Sequence, residues 1–234
     1  MTRKLYLIPA PLGENALHSL PQNVIDIIHQ LDVFVVERAK TARRFIKSTK
    51  PTKPISEYQV FELDKHRQEL DRTIFMEAME LGKDIGFLSE AGCPGIADPG
   101  ATIAQIAHDK GIQVIPLVGP SSILLALMAS GMNGQSFAFQ GYLPASKSDL
   151  TKELKRLEQI SGKFKQTQIF IETPYRNNAM IEQAIANLHS NTRFCIAVDL
   201  TLPTEYVASH RIKNWRKKGL PDIHKRPAIF LLQG

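Results

Sequence analysis

The sequence predicts an α/β protein of two α/β domains, and three observations carry that prediction. Short continuous apolar runs recur along the chain: KLYLIP (4–9), LDVFVVE (31–37), DIGFL (84–88) and IQVIPL (112–117). Amphipathic stretches of helical spacing separate them, the pattern of a parallel sheet covered on both faces. After Gly119 the grammar shifts towards a mixed sheet, with an alternating run at 204–212 that suits a half-exposed antiparallel strand.

Each element follows in order. KLYLIP is a strand, and NALHSLPQNVIDIIHQ (15–30) contains a helix that ends before the second strand, LDVFVVE. RAKTARRFIKS (38–48) has helical spacing at Ala39, Ala42, Phe45 and Ile46. An extended segment is expected around Ile55, then a helix over 66–82 closed by Gly82. DIGFL is the next strand, ATIAQIAHDKG (101–111) a helix stopped by Gly111, and IQVIPL another strand. PSSILLALMASG (120–131) is an apolar, small-residue helix, with the Ser121–Ser122 doublet suited to capping it. Strands follow at 136–144, 166–172, 193–200, 204–212 and 226–234, with helices at 151–161 and 177–189. The predicted boundary gives domains 1–118 and 119–234, with a ligand cleft between them.

The 234 residues are 43% apolar and 22% charged, an ordinary globular composition. No apolar run suits a membrane span, because the best, 112–131, is broken by Pro116 and Gly119–Pro120. The start, MTRKLYLIPAPLG, has no signal-peptide h-region, so a cytoplasmic protein is expected. Two cysteines and seven scattered histidines form no metal-site spacing, and no metal is expected. The net charge of +6 concentrates in 147–165 and 211–219. Basic stripes suit a polyanion such as RNA. Solvated helix faces give the same composition.

Ligands of open α/β sheets bind beyond the carboxyl ends of the strands. The loops there are rich in Gly, Pro and small hydroxyl residues: PAPLGEN (9–15), ERAKTARR (37–44), SEAGCPGIADPG (89–100), LVGPSS (117–122), GYLPAS (141–146), ETPYRNN (172–178) and DLTLPTE (199–205). Such recurrence points to one shared ligand site. There is no GxxxxGK[ST] and no GxGxxG after the first strand, which disfavours a kinase or an NAD enzyme. No G-x-S-x-G elbow supports a hydrolase.

Five of these segments, in register, resemble the tetrapyrrole-methylase-type (class III) methyltransferases, which use S-adenosylmethionine. They are LYLIPAPLGE, FLSEAGCPGIADPG, VIPLVGPSSILLALMASGM, FQGYLP followed by K, and IFIETPYR. Within that family the chain is most similar to the ribosomal RNA small-subunit methyltransferase branch. The resemblance runs nearly end to end and implies a methyl donor folded into the cleft between two α/β domains. The donor-contacting positions it implies are Pro9 and Leu12, then Gly92, Pro94 and Ile96. In the second domain they are Ser122, Ile123, Tyr142, Leu143, Glu172, Thr173, Leu200 and Ala228. Ile123, Leu200 and Ala228 equally suit core positions. The resemblance also implies RNA as acceptor, by 2′-O-methylation of ribosomal RNA, and a homodimer.

Methyl transfer from a sulfonium needs alignment rather than a metal or a covalent intermediate. A hydroxyl acceptor also needs a base. Glu37, Glu90 and Glu172 sit at strand ends and are the candidates, though each equally suits holding backbone donors of its own loop. Departures from the branch cluster away from the donor. ERAK (37–40) replaces E-D-T-R, with Arg38 and Lys40 differing; Glu90 replaces an Asp; Tyr175 replaces a His while Arg176 is kept. LDKHRQE (63–69) matches an H-E-H-N-E-like stretch only loosely, and the sequence ends at FLLQG, where many relatives continue in a helical extension. A methylase of a small or tetrapyrrole-like acceptor, and a donor-binding module without acceptor chemistry, are the competing readings.

Overall fold

The computed structural model describes residues 3–63 and 68–234. The chain divides into two compact units, Met1–Ser121 and Ser122–Gly234. The first holds strands β1 (Lys4–Ile8), β2 (Val33–Val36), β3 (Gln59–Glu62), β4 (Ile85–Leu88) and β5 (Gln113–Pro116). Their order is β3-β2-β4-β1-β5 and every neighbouring pair is parallel. Helices α1 (Gln22–Gln30), α2 (Ala39–Ser48), α3 (Gln68–Glu80) and α4 (Gly100–Asp109) cover both faces.

The side-chain period of two explains why continuous apolar runs were needed. Val33 and Val35 point into a core built with Phe75 of α3 and Ile103 of α4. Phe34 and Val36 point into the opposite core, with Ile28 of α1 and Ile46 of α2. All four strand residues are buried. Each such side chain contributes roughly 1.5–3 kcal/mol of burial. A one-residue slip of β2 would only exchange two apolar faces, so the parallel partners and helices, rather than β2 itself, specify its register.

The second unit holds α5 (Ser122–Ser130), β6 (Phe137–Tyr142), α6 (Lys147–Phe164), β7 (Thr167–Ile171), α7 (Asn177–Asn187), β8 (Arg193–Val198), β9 (Tyr206–Arg211), α8 (Ile212–Lys218) and β10 (Ala228–Gln233). The sheet order is β6-β7-β10-β8-β9. Only β6 and β7 are parallel; the other three pairings are antiparallel. The sheet is therefore mixed, and 206–211 is the expected antiparallel strand. Phe170, Phe230 and Phe194 stack across the three central strands at 5.9 and 6.2 Å between rings. Leu154 and Leu157 of α6, Ile181 of α7 and Trp215 of α8 close that core, and α5 packs on β9 and β10.

Four sequence readings are corrected or extended. Ile55 is not in an extended strand: Pro54 starts a single 3-10 turn over Ile55–Glu57, and the strand begins at Gln59. The stretch 211–219, read as a basic stripe, contains helix α8, anchored by buried Ile212 and Trp215. Helix α6 begins earlier than 151, because Ser146 is its N-cap, accepting from the Asp149 N–H, and sets the start at Lys147. Helix α3 begins at Gln68, and the first part of the 66–82 reading lies outside the described residues. Among the described residues, no helix is long and apolar enough to cross a membrane.

Cys195 lies on the wholly buried stretch of β8, and burial pushes its thiol pKa up to about 12. The folded state therefore holds a proton that the unfolded chain releases from its ordinary value of 9.0 upward. The contribution is fully present below about pH 9 and is lost as pH rises towards 12. A urea titration at stepped pH is expected to show stability falling above pH 9, with Cys195→Ala flattening that fall. A fall of unchanged steepness in the variant would contradict it.

Candidate active site

Because β1, β2, β4 and β5 run parallel, the loops that follow them leave the sheet at one edge. Three of these loops are laced together. Ala10 and Gly92 form an isolated antiparallel bridge, with N–H···O distances of 3.0 and 2.9 Å in the two directions. Gly92 has φ +72°, and a Cβ there would sit 3.3 Å from Leu12 Cδ2. Pro9 is buried and packs so closely on Gly119 that a Cβ at 119 would lie 2.2 Å from the proline ring. Cys93 Sγ donates weakly to the carbonyl of Pro120 at 3.4 Å. The loops after β1, β4 and β5 thus form one continuous backbone surface.

Asp98 fixes the middle of this surface. Its Oδ1 accepts the N–H groups of Gly95 (2.6 Å) and Gly100 (2.8 Å), and its Oδ2 accepts the Ser89 hydroxyl (2.6 Å). The D-P-G at 98–100 reads in the sequence as an N-cap Asp followed by a first-turn Pro. Asp98 does take the N–H two residues on and holds the turn at 95, but the cap position itself falls on Pro99. Helix α4 is assigned from Gly100, one residue later than a cap at Asp98 implies. With Asp98 occupied, Pro94 is left half-buried and Ile96 is 53% exposed.

Beside the laced loops, the first unit has an open cavity of about 700 Å³. Its walls come from the loop after β1 (Leu12, Glu14), from α2 (Thr41, Arg44, Phe45) and from Glu90. Arg44 reaches Glu14 at 3.2 Å, with both side chains largely in solvent. Thr41 Oγ1 donates to Glu90 Oε1 in a very short contact. The Glu90 N–H in turn donates to Glu37 Oε1 at 3.1 Å. Glu62 accepts the N–H of Ala39 at 2.8 Å and so holds the start of α2. Thr41, Arg44 and Glu14 were not singled out in the sequence. Thr41 and Arg44 belong to a strand-end loop that was, but their helical setting is what turns them towards Glu90.

The three candidate bases separate. Glu90 is exposed and lines the cavity; Glu37 is half-buried and engaged by the backbone of residue 90. Glu172 is buried, accepting from Arg176 Nη2 at 2.6 Å and from the Thr173 N–H at 2.5 Å. It holds its loop. Removing it leaves a guanidinium and a backbone N–H unpaired, a cost of about 1–3 kcal/mol. Glu172→Ala is expected to lower the urea midpoint clearly; an unchanged midpoint would show that the pair carries no stability.

In the second unit the topology gathers the remaining positions at one sheet edge. Tyr142 pairs with Ile171, Ile171 with Ile229, and Ala228 with Val198. The carboxyl ends of β6, β7 and β8 therefore lie alongside the amino end of β10. Tyr142 is 63% exposed and Thr173 is exposed, whereas Leu143, Leu200 and Ile123 are buried. Ala228 packs against the core, and Ser122 is half-buried at the first position of α5. For the buried members, only backbone groups are available to a ligand. Asp199, at φ +50°, is braced by Arg226 Nε at 2.8 Å and by the Thr204 hydroxyl at 2.8 Å. Among the described residues, no group of three His, Cys, Asp or Glu is arranged to hold a metal ion.

This two-unit fold is that of the tetrapyrrole methylases. The uroporphyrin-III C-methyltransferase of Thermus thermophilus superposes with a TM-score of 0.56 at 19% identity, covering 100% of this chain and 93% of that one. No family model matches the chain. Curated relatives are nearer in sequence. The ribosomal RNA small subunit methyltransferase I of Haemophilus influenzae is 30% identical over 99% of this chain and 78% of its own length. That of Bacillus subtilis is 32% identical over 84% of this chain and 63% of its own length. The chain belongs to the family of ribosomal RNA small subunit methyltransferase I, S-adenosylmethionine-dependent methyltransferases.

Proposed function

We propose that this protein methylates a hydroxyl of small-subunit ribosomal RNA, with the methyl donor at the laced loops of the first unit. The observation that carries the placement is the Ala10–Gly92 bridge, which joins the two loops the family motifs assign to the donor. The residues fit such a ligand. The glycine at 92 leaves room beside Leu12 that a Cβ would fill, and the turn beyond it presents Pro94 and exposed Ile96. Pro9, Leu12, Gly92, Pro94 and Ile96 hold the donor in this reading. The family resemblance adds Tyr142, Thr173, Ser122, Ile123, Leu143, Leu200 and Ala228 of the second unit as donor positions. Glu172 is reassigned to loop bracing.

S-adenosylmethionine supplies both the methyl group and its own leaving group. The chain supplies alignment, worth up to about 7–11 kcal/mol in ideal cases. Glu90 would take the proton from the acceptor hydroxyl while a bound donor supplies the methyl group. Thr41 and Glu37 orient Glu90 from its carboxylate and its backbone N–H. A cytoplasmic location and a homodimer complete the proposal. The test is methyl transfer from labelled donor to purified small ribosomal subunits and to their naked RNA, with analytical centrifugation for the dimer. Labelled RNA supports the reading. Donor binding without labelled RNA contradicts it and favours a small acceptor or a non-catalytic module.

A further inference from the structure

The two basic stripes of the sequence differ once folded. On α6 three acids lie among five cations, and two ion pairs form: Lys152 with Asp149 at 3.3 Å and Arg156 with Glu153 at 2.6 Å. The β9–α8 stretch has no such neutralisation. Between Glu205 and Asp222 the sequence has no acid and five Lys or Arg residues. β9 is the outer strand of its sheet, so this face has no further strand beside it.

The arrangement is also electrostatically unfavourable by itself. Arg193 of β8 and Arg211 of β9 are directly opposed residues, both exposed. Like charges at such positions destabilise a sheet. Arg211 Nη1 and Lys213 Nζ both turn to Asn191 Oδ1, at 3.4 and 3.3 Å, a neutral acceptor at the long limit of hydrogen bonding. Lys217 follows one helical turn after Lys213 on α8. Among the described residues, no acid lies within ion-pair distance of Arg193, Arg211, Lys213 or Lys217.

The platform under these charges is rigid. Trp215 is buried and donates Nε1–H to the Phe194 carbonyl at 2.9 Å. Arg216 is committed elsewhere, donating to the carbonyls of Ile185 and Leu188 at 3.0 Å each. It fixes α8 to the end of α7 and leaves its four neighbours free to face solvent. Four unpaired cations on a preorganised edge suit a string of phosphates better than a single carboxylate.

We propose that Arg193, Arg211, Lys213 and Lys217 form a docking surface for the sugar–phosphate backbone of the RNA substrate. This rests on the RNA reading above and adds where the polyanion is held. Contacts of this kind fix position rather than sequence, so the surface is expected to be indifferent to base identity.

The test neutralises all four (R193Q, R211Q, K213Q, K217Q) in the full chain. A control neutralises Lys147, Lys152, Lys155 and Lys163 of α6. Binding to a small-subunit RNA fragment is measured across a salt series, alongside calorimetry with S-adenosylmethionine and binding to anionic phosphatidylserine vesicles. The quadruple variant is expected to bind RNA roughly tenfold or more weakly at moderate salt. Its log K against log salt slope should be shallower by about 2–3, with donor binding and the control's slope unchanged. An unchanged slope overturns the proposal, as does a loss confined to vesicles. Normal salt-dependent RNA binding by a wild type that transfers no methyl group would sink the enzymatic reading while leaving this surface standing.

Discussion

Glu90→Gln is expected to lower the methyl-transfer rate by about 10²–10⁴, the usual contribution of a general base. Donor affinity should hold. The substitution preserves shape and the ability to accept from Thr41, and it removes only the capacity to take a proton. Glu90 alone among the three strand-end glutamates is both exposed and in the cavity wall. Single-turnover transfer with labelled donor reads the rate, and calorimetry reads the binding. Thr41→Val should produce a smaller loss, because Glu90 would lose only its orienting partner. A Glu90→Gln rate within threefold of wild type would remove Glu90 from the chemistry.

Gly119→Ala is expected to disable donor binding by displacing Pro9 and the loop that carries it. The added methyl would lie 2.2 Å from Pro9 Cγ and 2.3 Å from Pro9 Cβ. Neither is the far end of a flexible chain, so the loop after β1 must shift. Overpacking of this kind costs about 1–3 kcal/mol. The shift would strain the Ala10–Gly92 bridge and the Leu12 contact with it. Calorimetry is expected to show donor affinity reduced at least tenfold, and urea unfolding a lower midpoint. Pro9→Gly combined with Gly119→Ala removes both clashing carbons and should restore part of the urea midpoint. Failure of the double variant to recover it would show that the proline–glycine contact is not what Gly119 provides.

The alternation of apolar runs and amphipathic helices made the first unit legible, because a doubly covered parallel sheet writes both of its faces into each strand. VFVV at 33–36 is the clearest case. The place of β10 at the centre of the second sheet was not legible, since sequence order says nothing about which strand closes a mixed sheet. Helix α8 was hidden for a different reason. Only Ile212 and Trp215 point inward, too few to set a period against its cations. The loops proposed to hold the donor were legible as motifs, but their lacing was not: Pro9 with Gly119, and Ala10 with Gly92, are contacts between segments far apart in the chain. Glu172 shows the limit most plainly. At a strand end it reads like Glu90, and only burial and Arg176 separate a loop brace from a candidate base.

The central claim is that the laced loops hold the methyl donor for transfer to RNA. It is tested most directly by incubating the wild-type protein and Gly119→Ala with labelled S-adenosylmethionine and small ribosomal subunits from cells lacking the protein. The account predicts label in the RNA as a ribose methyl ether with the wild type and little or none with Gly119→Ala. Equal labelling by both proteins, or label in a small molecule and none in RNA, would contradict it.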